Sequence, residues 1–120
     1  MSKFWGPLQI FSHAGGATPV LAERMVEYLE DEKNPGREVQ NGILCELRRL
    51  HYDTASATSA GSMAALLDLA PPEQILFGSD YPFINTDAAV KDLSHVRLSA
   101  KDRLAIEHQN AERLIPRLRA

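Results

Sequence analysis

Three short segments of this chain end in side chains that could do chemistry together. His13 follows Leu8-Gln9-Ile10-Phe11-Ser12, Asp53 and Thr54 close Leu50-His51-Tyr52-Asp53-Thr54, and Ser79-Asp80 follows Ile75-Leu76-Phe77-Gly78. An imidazole and a carboxylate are the groups that general acid–base catalysis and metal chemistry require. If the three segments are parallel strands, their carboxyl ends share one edge of a sheet, the edge where ligands bind in parallel α/β folds. Position alone therefore proposes a site built from His13 and Asp80, with Asp53 as a neighbour.

Each residue also has a purely structural reading. His13 could be a core histidine bonded to a backbone carbonyl, although Gly15-Gly16 beside it lets a backbone or ligand approach closely. Asp80 could serve only the turn at Ser79-Asp80-Tyr81-Pro82. Asp53 could cap nearby N–H groups at a strand end. The run from His13 to Thr18, placed before a helix, could cradle an anion, but it lacks the lysine and spacing of a P-loop. His51 shares a strand face with Asp53 and is expected in the core or at its rim. His95 and His108 are expected in solvent. Cys45, between Leu44 and Leu47, reads as a small buried hydrophobe. Arg48-Arg49 reads as a solvated helix end, and Trp5 as packing on the first strand.

The elements that must position these residues alternate. Leu8–Ser12 reads as a buried strand, and Thr18-Pro19 as a helix start. Leu21, Met25, Tyr28 and Leu29 supply that helix's apolar face, and Asn34-Pro35-Gly36 ends it. A second helix is predicted from about Asn41 through Leu47, with Ile43, Leu44 and Leu47 on one side. A strand follows at Leu50–Thr54, then a helix at Ser62–Leu69 ended by Pro71-Pro72, then a strand at Ile75–Gly78. The remainder is helical, with Ser99 and Asp102 forming a capping-box-like start and Pro116 interrupting the tail. Strands alternating with helices imply a parallel sheet covered by helices, an α/β architecture.

Composition sets the outer bounds. The 120 residues carry a net charge of −3, with 44% hydrophobic and 24% charged residues, which is ordinary for one globular domain and unlike a disordered chain. The acidic balance and the lack of a basic stripe make nucleic acid a poor partner. No apolar run approaches the roughly 20 residues of a membrane helix, and the N-terminus shows no signal-peptide pattern. A single cysteine rules out an intramolecular disulfide framework and suits the cytoplasm, the expected location.

Several of these segments together resemble one family. Ser12-His13-Ala14-Gly15-Gly16 with Pro19, then Tyr52-Asp53-Thr54-Ala55, then Ile75-Leu76-Phe77-Gly78-Ser79-Asp80-Tyr81-Pro82-Phe83, and finally Asn110-Ala111-Glu112-Arg113-Leu114 resemble the amidohydrolase-related family. The branch is that of aminocarboxymuconate-semialdehyde decarboxylase and related aromatic-acid decarboxylases and hydrolases. The resemblance spans nearly the whole chain and implies the last three strand–helix units of a (β/α)₈ TIM barrel. Residues 1–120 would then form the C-terminal part of an amidohydrolase-related domain, because a complete barrel takes about 250 residues.

What the resemblance implies about chemistry is specific. Asp80 matches the family's aspartate that binds the metal or handles the proton of its water. His13 matches the histidine that activates water or substrate beside it. The implied cofactor is a divalent metal, zinc first and manganese second, and the implied partner is a small carboxylate-bearing substrate, hydrolysed or decarboxylated. The family's His-x-His pair and a further histidine are absent here, whereas a catalytic zinc needs about three protein ligands. Metal binding by this chain alone is therefore not expected. Three strands also leave unpaired edges on both sides of the sheet, which implies self-association or a complementing N-terminal half. The alternative is a non-catalytic remnant of the fold.

Overall fold

The computed structural model describes residues 8–29 and 41–119. Three parallel strands form its sheet in the order β1-β2-β3: β1 (Ile10–Phe11), β2 (His51–Asp53) and β3 (Ile75–Leu76). The register pairs Ile10 with His51 and Phe11 with Tyr52, then Tyr52 with Ile75 and Asp53 with Leu76. All three strands thus point the same way, and the loops after them meet at one edge.

Helices α1 (Thr18–Leu29) and α2 (Ile43–Arg49) connect β1 to β2, and α3 (Ala60–Leu69) connects β2 to β3. Ser59 caps α3 by accepting the Ser62 N–H, which starts the helix two residues before the predicted Ser62. After β3 come α4 (Thr86–Ser94), capped by Asn85, and α5 (Ala100–Leu104), capped by Ser99 through the Asp102 N–H. A π-helical turn at Ala105–Gln109 links α5 to α6 (Asn110–Leu114). The sequence pattern alone reads this stretch as one uninterrupted helix; the π turn is an addition.

The core forms around β2. Tyr52, Leu66, Ile75 and Ile106 are fully buried, and Leu47, Leu69 and Leu93 join them. Tyr52 donates its hydroxyl to the Leu47 carbonyl at 2.7 Å, so the one polar atom of this large side chain is satisfied.

Several expectations are corrected. β1 is not buried: Leu8, Ile10 and Phe11 are 52%, 44% and 41% exposed, because β1 ends the sheet and no described element covers it. In α1 the buried residue is Ala22, while Leu21 and Tyr28 of the predicted apolar face are exposed and Met25 packs on the core. Cys45 is exposed, since it lies two positions from both Ile43 and Leu47 and so points away from the face they share. Among the described residues the sheet ends at β1 and β3 with no further strand on either side, as expected. On the outer side of β3, Asn110 donates to the Ile75 carbonyl at 2.8 Å and the Phe77 N–H donates to the Ile106 carbonyl at 3.0 Å, so these two groups find partners within the chain. The expectations for Trp5 and for Asn34-Pro35-Gly36 lie outside the described residues.

Candidate active site

The loops after the three strands hold the backbone in an unusual state. Among the described residues, the non-glycine positions in the left-handed region are His13, Ala14, Ser56 and Asp80. Each follows β1, β2 or β3 within a few residues. That conformation is costly for residues with a Cβ, and it persists only where surrounding contacts impose it. Strain is therefore gathered at the edge where the sequence places the candidate site.

The contacts that impose it are visible. The Asp53 carboxylate accepts two backbone N–H groups through Oδ1, from His13 at 2.9 Å and from Ala55 at 3.0 Å. Asp53 thus ties the turn after β1 to the end of β2, the strand-end capping role that was one of its two readings. The His13 ring is held by the loop after β2, its Nδ1 lying 2.7 Å from the Ala55 carbonyl. A carbonyl can only accept, so Nδ1 carries the proton of this contact and Nε2 is the ring nitrogen left to face the site. Ser56, adjacent to Ala55, donates its hydroxyl to Asp80 Oδ2 at 3.3 Å. One dipeptide after β2 therefore steadies both candidate residues, the imidazole through Ala55 and the carboxylate through Ser56.

Asp80 is half-buried and performs a turn role as well, because its carbonyl accepts the N–H groups of Phe83 and Ile84 at 2.9 and 3.1 Å. The approach of β3 to β2 depends on Gly78. A Cβ there would sit 3.0 Å from Asp53 Cγ and 3.2 Å from Ala55 Cβ. Thr54 extends the pairing of the two strands past their ends, its Oγ1 accepting the Gly78 N–H at 3.2 Å. Gly15, with φ of 77°, is required for a second reason: a Cβ would lie 2.8 Å from the Tyr52 ring.

A cavity of about 290 Å³ opens at this edge, lined by Thr54, Ser56, Thr58, Ser79, Ile84 and Asp92 among others. His13 and Asp80 are not among its lining residues, so the cavity is a hydroxyl-rich neighbour of the pair. Of the anion cradle at His13–Thr18, the N–H groups of His13, Gly15 and Gly16 are taken by Asp53, Ser12 and His13 respectively.

The remaining candidates fall elsewhere. His51 stands at the start of β2, at the opposite edge of the sheet, with its pKa lowered by burial and then by the charge of Arg113. His95 is exposed at the end of α4, and His108 is exposed and bonded to Glu112 at 2.9 Å. Arg48 reaches the Leu69 carbonyl at 3.1 Å, so it ties α2 to α3 rather than only ending a helix. Sequence reasoning quoted Ala55 only as the end of the Tyr52–Ala55 motif and did not single out Ser56; their contributions are a carbonyl and a short hydroxyl, which no residue pattern signals.

The fit to a metal can be judged on these residues. Among the described residues, no three histidine, cysteine, aspartate or glutamate side chains come together as a metal-holding group. Asp80 offers a carboxylate and His13 a free Nε2, which is short of the ligand set of a catalytic centre. These residues by themselves do not fit a complete metal site. No helix of the described residues is long and apolar enough to cross a membrane.

Comparisons with known proteins agree with this architecture. The chain is 36% identical over 119 residues to a 6-methylsalicylic acid decarboxylase of Aspergillus aculeatus, covering 92% of this chain and 36% of that protein. It is 29% identical to the 6-methylsalicylic acid decarboxylase of Penicillium expansum, again covering 92% of this chain and 35% of that protein. The chain thus spans about a third of the length of these curated relatives. A dihydroxybenzoic acid decarboxylase from Polaromonas, solved with manganese and the inhibitor 2-nitroresorcinol, superposes with a TM-score of 0.79 at 23% identity. That match takes in 92% of this chain and 34% of the other, so the fold corresponds to part of a larger decarboxylase fold. The amidohydrolase family model matches residues 9–117, from just before β1 to just past α6, and the chain belongs to the amidohydrolase family.

Proposed function

We propose that this chain supplies the last three strand–helix units of a (β/α)₈ barrel that decarboxylates a small aromatic carboxylate with a divalent metal. The observation that carries this reading is the shared support of His13 and Asp80 by Ala55 and Ser56, at the carboxyl edge of a parallel sheet. Both relatives named above are 6-methylsalicylic acid decarboxylases, which favours a carboxy-lyase over the hydrolase alternative and supports an aromatic carboxylate as substrate. The manganese in the Polaromonas structure favours manganese over zinc.

In this reading Asp80 contributes one ligand or handles a proton, and the other ligands come from the remainder of the barrel. Decarboxylation breaks the bond between ring and carboxylate carbons; carbon dioxide leaves, and the ring carbon keeps the electron pair and gains a proton in its place. His13, with Nδ1 pinned on Ala55, presents Nε2 as the group that takes up or returns that proton. Among the described residues no three-ligand cluster forms, so in this reading the remaining ligands come from parts of the barrel outside them.

The test is a carbon dioxide release assay on 6-methylsalicylate and 2,6-dihydroxybenzoate. This chain is combined with the portion of the Aspergillus aculeatus decarboxylase outside the matched third, with manganese added. Activity lost on Asp80→Asn and on His13→Asn supports the reading. Activity that survives both substitutions, or a reconstituted barrel that binds manganese but releases no carbon dioxide, contradicts it.

A further inference from the structure

An asparagine side chain can be lost without an enzyme. The backbone nitrogen of the next residue gives its electron pair to the asparagine Cγ and loses its proton, and the side-chain nitrogen leaves as ammonia. The product is a cyclic succinimide. Water then adds across one of the two ring bonds to that nitrogen. Breaking the bond to Cγ gives aspartate; breaking the bond to the backbone carbonyl carbon gives isoaspartate, in which the chain runs on through the side chain. The attack needs a following residue with an N–H and little bulk, a nitrogen not held in a helix or strand, and access for water.

These conditions separate the four asparagines of the chain, Asn34, Asn41, Asn85 and Asn110. Asn34 precedes Pro35, whose nitrogen carries no hydrogen. Asn85 precedes the β-branched Thr86, and its Oδ1 is engaged as the cap of α4, accepting the Asp87 N–H at 2.8 Å. Asn110 is fully buried in helical backbone, with its amide bonded to the Pro72 and Ile75 carbonyls and to Arg113.

Asn41 differs on every count. It is exposed in the turn before α2, and Gly42 after it has no side chain to shield the backbone nitrogen. Gly42 lies outside the helix, and no described residue accepts its N–H. Its φ of 84° is a conformation that glycine adopts at little cost and other residues resist. The fold thus requires, at the head of α2, the residue that leaves Asn41 most open to attack.

We propose that Asn41 is a site of spontaneous deamidation, attacked by the Gly42 nitrogen and converted to isoaspartate and aspartate. The chemistry needs no metal, substrate or partner, and it adds one negative charge to a chain of net charge −3. The change falls where α2 begins, beside the Gly42 carbonyl that accepts the Glu46 N–H at 3.2 Å. Isoaspartate inserts an extra methylene into the backbone there and loosens that first turn. Ile43, Leu44 and Leu47 of α2 pack on the core, and the Leu47 carbonyl holds the Tyr52 hydroxyl, so the head of this helix bears on the layer behind β2.

The test ages the purified chain in mildly alkaline buffer, where loss of the amide proton speeds the attack. Ammonia is assayed, and peptide mass spectrometry locates the amide-to-acid change. An isoaspartyl methyltransferase with labelled S-adenosylmethionine counts the isoaspartate. Stoichiometric ammonia is expected, with the mass change in the peptide carrying Asn41 and isoaspartate in excess over aspartate. The peptides carrying Asn85 and Asn110 should convert at least about tenfold more slowly. Asn41→Gln, an exposed substitution that moves the carbonyl one methylene further from the Gly42 nitrogen, should reduce ammonia release at least about tenfold while leaving the unfolding midpoint in place. In the aged fraction, separated by its added charge, the Glu46 amide should exchange faster than in the fresh chain. An Asn41 peptide that stays intact while the others convert overturns the proposal, as does aspartate formed without isoaspartate. So does ammonia release undiminished in Asn41→Gln, or a Glu46 amide that exchanges equally in the fresh and aged chains.

Discussion

The carboxylate of Asp53 holds the backbone of His13, accepting its N–H at 2.9 Å across 40 residues of chain. The same oxygen accepts the Ala55 N–H, so a single carboxylate fixes the turn that carries the imidazole and the residue that orients it. Removing this anchor should cost more than removing an ordinary surface group. Asp53→Ala leaves two N–H groups unsatisfied and should destabilise the chain by about 2–4 kcal/mol, with Asp53→Asn costing less because an acceptor oxygen remains. Urea denaturation of the two variants measures this, and equal, negligible losses would contradict it.

Gly78 is predicted to be intolerant of a methyl group for a reason of space. A Cβ would stand 3.0 Å from Asp53 Cγ and 3.1 Å from Asp53 Cβ, in the anchor just described. Gly78→Ala should therefore destabilise by about 1–3 kcal/mol, and the His13 and Ala55 amides should exchange faster. An alanine variant as stable as the parent, with unchanged amide exchange, would show that the loop has slack that this geometry denies.

His51 makes stability depend on pH at the edge away from the site. Burial, then the charge of Arg113, lowers its pKa from the ordinary 6.5. As the pH falls through that value the unfolded chain takes up the proton first, so His51 subtracts stability in acid and is neutral above it. His51→Gln should narrow the difference in melting temperature between about pH 7.5 and about pH 5.5. An unaltered or widened difference would mean that His51 is protonated as readily in the folded chain.

Asn110 is predicted to be the most sensitive polar position in the C-terminal helix. It is fully buried and makes both of its donations to backbone carbonyls, at Pro72 and Ile75. Asn110→Leu keeps the volume but strands two carbonyls and the Arg113 guanidinium, and should cost about 3 kcal/mol or more. A loss below about 1 kcal/mol, measured by chemical denaturation, would show that β3 does not need this clamp.

Much of this arrangement is legible in the residues themselves. Turn residues around short apolar segments locate β1, β2 and β3, and the carboxyl-edge rule then brings His13, Asp53 and Asp80 to one side. What escapes sequence reading is decided by contacts between distant segments. Whether Asp53 serves chemistry or the backbone depends on where the His13 N–H lies, and no pattern in sequence carries that. Ala55 matters through its carbonyl, which any residue would supply. The hold of Asn110 on the Ile75 carbonyl is hidden for the same reason, since an asparagine inside a helical stretch does not say which distant backbone it reaches. The exposure of Leu8, Ile10 and Phe11 is invisible because apolar residues announce burial without naming the surface that covers them.

The central claim is that Asp80 belongs to a metal centre completed by polypeptide other than the residues described in this fold. Manganese content after reconstitution with the complementary part of the Aspergillus aculeatus decarboxylase tests it most directly. Metal is measured by mass spectrometry on the isolated chain, the complex, and the complex carrying Asp80→Asn. The account predicts manganese in stoichiometric amount in the complex only, and its loss on Asp80→Asn. Stoichiometric manganese in the isolated chain, or a complex whose metal content ignores Asp80→Asn, would contradict it.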